Sequence, residues 1–572
     1  MSTSGIVALV AIALVAVASA FIGSLGVRVA RSTSDFLVAS RTVGPVANAS
    51  AISGEYLSAA SFLGVAGMIL RDGADALWFP IAFTTGYLAL VLFVAAPLRR
   101  SGAYTVPDFA VARLNSDGLR RMCTVFVLVI GWLYLLPQLQ GAGLALTTLT
   151  ALPAWSGIAG AGLVVVLTVV GGGMRSITFV QAFQFWLKLT ALLVPAVFVL
   201  GLFLSDSRSL ERDTAPDFRA ATTVDVRTDA VLQTSETVNL VVDGTVDRVR
   251  VDGPVTWAPG RHEVAAGTQL TFPAGSPVPT VAGAPTTDRE WLQPGTGDAD
   301  YQMLAIYSVL IAGALGTMGL PHVLVRFYTN PDGRAARRTT VAVLAMIGGF
   351  YIVAVLVGVL ARLYTPGLLA TSETDAAVLL VPTAALGDGW TAWVLGGLVA
   401  AGTAAAFLST SSGLVVSLAG VLYTDVLRGR WKDLRLAAVL SAVLPIAMAL
   451  SVERLDLGLT VPLVFAVAAS TFCPLLVLGI WWRGLTARGA AAGVLVGGVL
   501  STVAALLSLF ARLPDGLLGL LINRPAIATV PAAFLTMVVV SRMSKGEVPA
   551  DVDDVLLRLH APERLGLNHD RV

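Results

Sequence analysis

Two charged side chains lie deep inside long apolar segments of this sequence. Glu55 belongs to the small, polar stretch Ala51–Ser61 (AISGEYLSAAS), and Lys188 lies near the middle of the apolar run 178–204. A charge at the centre of a bilayer costs about 2.5–3.5 kcal/mol on insertion scales, so each of them needs a partner or a function. Lys188 has three interpretations: it pairs with Glu55, it meets a substrate carboxylate, or its ammonium replaces a sodium ion.

A site for a small, hard cation is one chemistry that these segments allow. A helix unwound near Gly54 would free backbone carbonyl oxygens. The segment Ala404–Gly413 (AAAFLSTSSG) adds the adjacent hydroxyls of Ser409 and Thr410. Ala406 lies one turn earlier on the same helix face. Such an all-oxygen set suits Na⁺. The alternative is helix packing, since small residues let membrane helices approach closely.

Two further segments interrupt apolar runs with polar or helix-breaking residues. Gln138 and Gln140 follow Pro137, so a kink lies beside two amides that either line a substrate path or bond neighbouring helices. The spacing of Gly and Pro in Gly313–Arg326 predicts an interrupted helix, whose second half would present its positive N-terminus to an anion. His322, in the same segment, is interpreted as a hydrogen-bonded structural group.

Only membrane helices can position these groups, because 56% of the 572 residues are hydrophobic and 13% are charged. Soluble domains are normally about a quarter charged. We predict an all-α integral membrane protein whose apolar runs are each long enough to cross a bilayer. The expected thirteen spans are 5–27, 46–70, 76–98, 121–149, 156–172, 178–204, 301–326, 338–363, 390–423, 434–452, 458–482, 488–511 and 524–541. The stretch 376–387 is too short to span and is predicted to be a packed or re-entrant piece.

The Lys and Arg residues orient the chain. They concentrate in the loops after the odd-numbered spans and are sparse in the short loops after the even-numbered spans. Arg326 is counted in the loop after span seven. The positive-inside rule then places the N-terminus outside and the C-terminus in the cytoplasm. The expected organisation is an N-terminal helix and linker, a first core repeat, an insertion, a second core repeat, C-terminal helices and a cytoplasmic tail: 1–45, 46–204, 205–300, 301–482, 483–543 and 544–572.

The polar segment 205–300 breaks the pattern and is predicted to be a small β-rich extracytoplasmic insertion. The alternating runs 237–242 and 245–251 read as strands joined by a turn at Asp243-Gly244, with Asp252-Gly253-Pro254 ending the second. Its role is either an assembly surface or substrate capture. In the tail, Asp551–Leu559 is predicted to form a short amphipathic helix.

Patterns typical of enzymes are missing from the sequence. It contains no GxxxxGK[ST] phosphate loop, no HExxH and no GxSxG, so no enzyme activity and no cofactor are predicted. Gly171–Gly173 follows a membrane span and is interpreted as a turn. The two cysteines, Cys123 and Cys473, both lie in apolar runs and form no metal-binding pattern.

Five segments resemble the sodium/solute symporters, and within them the bacterial cation/acetate (monocarboxylate) branch. They occur in the family's order and cover nearly the whole chain except the insertion and the tail. The segments are Ser34–Arg41 (SDFLVASR), Gly54–Gly64 (GEYLSAASFLG), Gly172–Gln181 (GGMRSITFVQ), Gly319–Phe327 (GLPHVLVRF) and Phe407–Gly413 (FLSTSSG).

The resemblance implies the leucine-transporter type of fold, a five-plus-five inverted repeat formed by spans two to six and seven to eleven. It also implies a sodium site made by the carbonyls of Gly54, Leu57 and Ala406 and the hydroxyls of Ser409 and Thr410.

The chain also departs from the family in span six. Gln181 stands where several members have an Asp, and Lys188 lies two turns further along the same face, which leaves Na⁺ and H⁺ both open as the coupling ion. Glu55 is a further candidate for coupling or substrate binding. The substrate carboxylate is expected at the broken ends of spans two and seven, near Tyr56, Gln138 and Gln140.

The function expected from these features is import of a small monocarboxylate, of the acetate, propionate or pyruvate type, by alternating access in a bacterial cytoplasmic membrane. A symporter for proline, a sugar or a vitamin is the alternative, followed by a membrane sensor or a passive channel. The partners are then the carboxylate substrate and the lipid bilayer. No nucleic-acid partner is predicted, and the oligomeric state stays open.

Overall fold

The computed structural model describes most of the chain. The residues outside the description are 1, 28–43, 104, 207–209, 211–212, 227, 296–300, 329–332, 372, 428–433, 453–454, 456, 512, 515 and 563–572. The description also leaves out the side chains of residues 25–27, 172–175, 327–328, 333 and 434. The segment Ser34–Arg41 therefore lies outside the described residues, as do the side chains of Arg175 and Phe327 and part of the cation-rich loop 428–433.

The described chain is mainly helical. Its α-helices are, in order, α1 Thr3–Val27, α2 Pro45–Tyr56, α3 Val65–Asp72, α4 Trp78–Phe93, α5 Ala95–Arg100, α6 Val106–Leu114, α7 Asp117–Thr150, α8 Ala154–Ser205, α9 Asp288–Leu292, α10 Gln302–Gly319, α11 Pro321–Tyr328, α12 Gly333–Tyr364, α13 Ala377–Leu386, α14 Trp390–Val421, α15 Leu434–Ser451, α16 Leu457–Trp481, α17 Ala487–Phe510, α18 Leu517–Asn523, α19 Ala526–Met543 and α20 Val552–His560. Two π-helices, Ala60–Gly64 and Leu422–Val426, and four 3₁₀ turns, Gly73–Leu77, Pro366–Ala370, Thr374–Ala376 and Lys545–Glu547, complete the helical elements of the described residues.

Eleven helices of the described residues are long and apolar enough to cross a membrane. The predicted number of spans is higher for two reasons. One of the eleven, Ala60–Phe93, combines the second half of predicted span two with all of α4, so two predicted spans are counted once. The chain nevertheless turns between them at Gly73, whose φ is +61°. Predicted span ten corresponds to a shorter apolar helix, Arg435–Ser451.

Helix α8 covers predicted spans five and six, and its axis reverses within it. A straight helix of its 52 residues would extend about 78 Å. Instead, Thr168 and Ser176 of α8 both lie beside Gly23 of α1. Further along α8, Gln184 bonds Ser19, one turn back along α1, so α8 returns in the opposite direction. The two arms, Ala154–Gly171 and Ser176–Ser205, are separate candidate spans. The reversal therefore falls between Thr168 and Ser176, around the predicted Gly171–Gly173 turn.

Predicted spans two and seven are both broken helices. In span two, α2 ends at Tyr56, Leu57 leaves the helical conformation with ψ 83°, and a π-helix starts at Ala60. The break thus lies three residues beyond the predicted Gly54. In span seven, α10 ends at Gly319, Leu320 is extended, and α11 restarts at Pro321, which suits the first helical position because it lacks an N–H.

The insertion contains a seven-stranded antiparallel sheet, in agreement with the prediction that it is rich in β-strands. The strands are β1 Thr222–Val226, β2 Ala230–Thr234, β3 Val238–Val246, β4 Val249–Trp257, β5 Gly260–Val264, β6 Thr268–Phe272 and β7 Thr280–Val281. Within the described residues their order is β1-β6-β3-β5-β2-β7, and β4 pairs with β3 outside this path.

The predicted turn at Asp243-Gly244 is wrong. Strand β3 continues through both residues, and the turn is formed by Asp247 and Arg248, whose φ angles are 50° and 67°. Two left-handed residues make the type I′ turn that matches strand twist. Gly244 is needed for a close approach instead, because a Cβ there would lie 2.5 Å from the Thr268 hydroxyl.

The predicted strand end at Asp252-Gly253-Pro254 is also wrong. Strand β4 runs through all three residues, and Pro254 pairs with Val241 of β3. Proline is tolerated there because β4 lies at the edge of the sheet.

The insertion is locked onto the membrane helices by its last helix, α9. The Trp291 indole N–H donates to the carbonyls of Ile69 and Leu70, 2.8 and 3.0 Å away, at the end of the second broken half of span two. Asp288 and Arg362 form a buried ion pair of 3.1 Å beside it. Arg362 is therefore part of this junction.

Two smaller predictions are confirmed. The stretch 376–387 forms the short helix α13, and the preceding Asp375 is buried and accepts a hydrogen bond from the backbone N–H of Leu457 at 2.9 Å. The predicted tail helix is α20, which buries Val552, Val555 and Leu559.

Candidate functional site

The break in span two directs two backbone carbonyls towards Lys188. The Lys188 ammonium donates to the carbonyl oxygens of Gly54 and Leu57, both at 2.5 Å. A third hydrogen bond, of 3.0 Å, reaches the Ser409 hydroxyl on α14. Lys188 is fully buried, so these oxygens replace the water that a surface lysine would have.

The other two predicted cation ligands, Thr410 and Ala406, do not contact the Lys188 ammonium. The Thr410 hydroxyl donates to the carbonyl of Glu55 at 2.6 Å. The Ala406 carbonyl lies 3.1 Å from the Ser409 hydroxyl. Gly54, Leu57 and Ser409 are therefore the predicted ligands that converge on one point, and the Lys188 ammonium lies at that point.

The residues present do not fit a sodium ion at this point while Lys188 keeps its position. Na⁺ would need the oxygens that the ammonium already holds. Elsewhere in the described chain, no group of three or more His, Cys, Asp or Glu side chains is arranged to hold a metal ion.

Glu55 pairs with Arg326 rather than with Lys188. The Arg326 guanidinium lies 2.6 Å from the Glu55 carboxylate, and both side chains are buried. Arg326 also donates to the Thr178 hydroxyl at 2.8 Å and to the side-chain oxygen of Gln181. Gly413 on α14 provides the space for the carboxylate, since a Cβ there would lie 2.0 Å from it.

Gln181 connects this ion pair to the lysine site. Its amide oxygen accepts from Arg326, and its amide nitrogen donates to the backbone carbonyl of Ser409 at 2.7 Å. Gln181 and Lys188, two turns apart on the same helix, thus both contact Ser409. One connected polar network joins the broken helices of spans two and seven to α8 and α14.

Arg326 lies at a different place from the one that its sequence position predicts. It is expected among the loop cations, whereas it lies in α11 and is completely buried. Because Arg326 directly precedes the cation-rich loop in the sequence, it resembles one of the loop cations. Glu55 could have indicated that Arg326 is buried, because a carboxylate inside a membrane segment requires a cation nearby.

A second group of polar side chains lies between the two helix breaks. The Gln138 amide oxygen accepts from the backbone N–H of Ala59 at 2.9 Å, just after the break in span two. The Gln138 amide nitrogen and both ring nitrogens of His322 are buried and have no hydrogen-bond partner among the described residues. The rings of His322 and Tyr134 are 5.1 Å apart, and Ser58 adjoins Tyr134. The interpretation of His322 as a bonded structural group is therefore wrong.

Tyr56 and Gln140, the other candidate substrate contacts, have different surroundings. The Tyr56 hydroxyl lies 3.0 Å from that of Thr317 and 3.1 Å from the carbonyl of Phe83. Its ring lines a small cavity. Gln140 donates to the backbone carbonyl of Ala449 at 2.8 Å, so it bonds a neighbouring helix.

The cavity lined by the Tyr56 ring is small, and it adjoins the Gln138 group through Tyr134. About 10 Å³ is open within it, the room of about one water molecule. Its walls combine hydroxyl groups with apolar side chains from the broken helix of span two and from four other helices: Tyr56, Ala60, Ser61, Val65, Met68, Phe83, Tyr134, Tyr351, Leu457, Gly458, Val461, Pro462 and Phe465.

Comparison with known proteins decides the family. The model of the sodium:solute symporter family matches residues 36–244 and 276–497, well over half of the chain. The chain belongs to the sodium:solute symporter family. The resemblance of the five segments is thereby confirmed, and the protein is a transporter rather than an enzyme. Na⁺ coupling is what the family implies for its members.

Relatives of this symporter extend over nearly its whole length. An uncharacterized symporter of Bacillus subtilis, YwcA, is 28% identical over 88% of this chain and 88% of its own. A protein named monocarboxylic acid transporter, from Corynebacterium glutamicum, is 25% identical over 95% of this chain and 92% of its own.

Two solved structures share the fold of this symporter. A Na⁺-coupled sialic acid symporter in a substrate-bound outward-open state has a TM-score of 0.62 at 13% identity, covering 93% of this chain and 97% of its own. Mhp1, a nucleobase-cation-symport-1 family transporter in a closed conformation, has a TM-score of 0.52 at 14% identity, covering 92% and 99%. The symporter therefore has the expected leucine-transporter type of fold.

Proposed function

We propose that this symporter imports a small monocarboxylate of the acetate, propionate or pyruvate type, together with a cation, by alternating access. The observation that carries the proposal is the pair of buried polar side chains between the two helix breaks: among the described residues there, Gln138 and His322 have side-chain atoms available to a ligand. A buried polar group without a partner costs about 1–3 kcal/mol, which a bound ligand would recover.

These groups favour an anion as the ligand. The free atom of Gln138 is its amide nitrogen, which only donates, because its oxygen is held by the Ala59 N–H. An imidazole group can donate as well. The half-helix after each break, starting at Ala60 and Pro321, directs its positive end to the same region.

The neighbouring cavity favours a small acid. Apolar side chains such as Phe83, Val461 and Phe465 line it, where a methyl or ethyl group would lie, and the small space has to expand to admit even a two-carbon acid. A bulky solute would require larger rearrangement. The name of the Corynebacterium glutamicum relative, monocarboxylic acid transporter, is consistent with this class of substrate.

The transport cycle proposed here uses the two predicted repeats, 46–204 and 301–482. Each begins with a broken helix, so the midplane site lies where the repeats meet. Rocking of one group of helices against the other would open the site to each side in turn. We place the N-terminus and the insertion outside a bacterial cytoplasmic membrane and the C-terminal tail inside.

Uptake into proteoliposomes tests the proposal. Labelled acetate, propionate, pyruvate, proline and glucose are supplied under an imposed Na⁺ or pH gradient, with and without an ionophore. We expect saturable, concentrative uptake of at least one of the acids, which the ionophore abolishes. Uptake of proline or glucose without any of the acids would contradict the proposal, and so would acid uptake that neither saturates nor responds to a gradient.

A further inference from the structure

We infer that the Lys188 ammonium is the resident cation of the oxygen site at the break of span two, and that this site binds no Na⁺. The inference rests on the proposed function only in that the site belongs to a cation-coupled symporter. It departs from the sodium coupling that the family implies.

The hydrogen bonds account for all the donors of an ammonium group. Three N–H bonds of Lys188 meet three acceptors: the carbonyls of Gly54 and Leu57 and the hydroxyl of Ser409. The Ser409 proton is directed to the Gly54 carbonyl, 2.7 Å away, so Ser409 accepts from the lysine. A sodium ion would require these same oxygens.

Close helix contacts on both sides hold Lys188 against the site. A Cβ on Gly54 would lie 2.3 Å from the carbonyl oxygen of Gln181, so α2 and α8 touch through their backbones. A Cβ on Gly402 would lie 2.3 Å from the Cβ of Ala191, so α14 and α8 are equally close. Lys188 lies between these two contacts along α8. Its side chain therefore enters the space between the three helices and fills it.

The local charges also disfavour an added sodium ion. Glu55 is the carboxylate nearest to the site, and its charge is already matched by Arg326 at 2.6 Å. Lys188 therefore supplies the one positive charge that the free oxygens accommodate. Na⁺ beside it would be a second cation without a counter-charge in a buried place, which is strongly unfavourable.

Direct sodium binding tests the inference on the purified full-length protein. Binding of ²²Na⁺ and the melting temperature are measured in NaCl and in choline chloride at equal ionic strength. Wild type should show no saturable Na⁺ binding, and no Na⁺-specific melting shift, that the variant Ser409→Ala removes.

Three variants make the test specific. Lys188→Ala clears the space and should gain saturable ²²Na⁺ binding, with a rise of a few degrees in melting temperature at saturating NaCl. Adding Ser409→Ala to it should remove that gain. Lys188→Met fills the space without a charge and should show no gain. If Lys188→Ala fails to fold, wild type and Ser409→Ala still decide: saturable Na⁺ binding to wild type that Ser409→Ala weakens would overturn the inference.

The same samples separate this inference from the proposed function. Acetate, propionate and pyruvate are titrated into wild type, and the melting temperature is followed. Stabilisation by an acid together with Ser409-dependent Na⁺ binding to wild type would refute the inference alone. Absence of any response to the three acids and of their uptake, with the sodium results as expected, would refute the monocarboxylate proposal alone.

Discussion

Arg326 and Glu55 form an ion pair of 2.6 Å that is closed off from solvent on all sides. Arg326 lies in the second half of broken span seven, and Glu55 in the first half of broken span two. The first helices of the two repeats are thus joined by a buried charge pair. Removing one partner of a buried pair typically costs about 3–5 kcal/mol, because the other charge is left unmatched.

Glu55→Gln should therefore strongly destabilise the protein. We expect a clearly lower melting temperature in detergent, measured by tryptophan fluorescence, because Arg326 loses its counter-charge. The double variant Glu55→Gln with Arg326→Gln is the control and should recover much of the loss, since no charge remains buried there. Equal melting temperatures for the single and double variants would show that the ion pair is not the cause.

Gly413→Ala should disturb the same pair through its shape alone. A methyl group there would lie 2.0 Å from the Glu55 carboxylate, and overpacking of this kind costs about 1–3 kcal/mol. Gly396→Ala, on the same helix, is the matched control because a Cβ there has no other heavy atom within 4 Å. Thermal unfolding of both variants checks this. A Gly396 variant as unstable as the Gly413 variant would refute the steric explanation.

Gln138 and Gln140, two residues apart, should separate affinity from stability. Gln138→Leu removes the free amide donor, and the substrate concentration for half-maximal uptake should rise about tenfold, the effect of one lost hydrogen bond of about 1.4 kcal/mol. The melting temperature should fall as well, because the Ala59 N–H loses its acceptor. Gln140→Leu should only lower the melting temperature, because the Ala449 carbonyl loses its donor, and leave the half-maximal concentration unchanged. The reverse pattern would remove Gln138 from the proposed site.

Trp291 should matter for stability more than Trp257, although both side chains are 2% exposed and both belong to the insertion. Trp291→Phe removes the N–H bonds to the carbonyls of Ile69 and Leu70 and should cost about 1–2 kcal/mol more than Trp257→Phe. The Trp257 N–H has no partner in the described structure. Comparing the two melting temperatures tests whether α9 holds the insertion in place, and equal losses would contradict this.

Much of the site follows from sequence because it depends on local composition. The run of small residues around Gly54 and the hydroxyls of Ser409 and Thr410 cannot face lipid, so they had to meet inside the protein. The same argument applies to Lys188. The breaks in spans two and seven follow from Gly, Ser and Pro within segments that otherwise favour helix.

The remaining features depend on contacts between distant segments. The hairpin turn at Asp247-Arg248 is determined by pairing across β3 and β4, which overrides the turn preference of Asp243-Gly244. His322 faces Tyr134 and not a bonding partner, which requires knowing how span four packs on span seven. The choice of Arg326 over Lys188 as the partner of Glu55 also depends on the rotation of three helices about their axes.

The lysine bonded to Gly54 and Leu57 has an electrical consequence. As long as Lys188 keeps its proton, this cation stays with the protein and adds no charge to what crosses the membrane in each cycle. A monoanion entering alone would move against an inside-negative potential, at about 2.3 kcal/mol for each 100 mV. That opposes accumulation by roughly 40-fold in concentration. Each anion that accumulates must therefore bring in at least one positive charge, either as a proton released from Lys188 or as a cation bound outside this site.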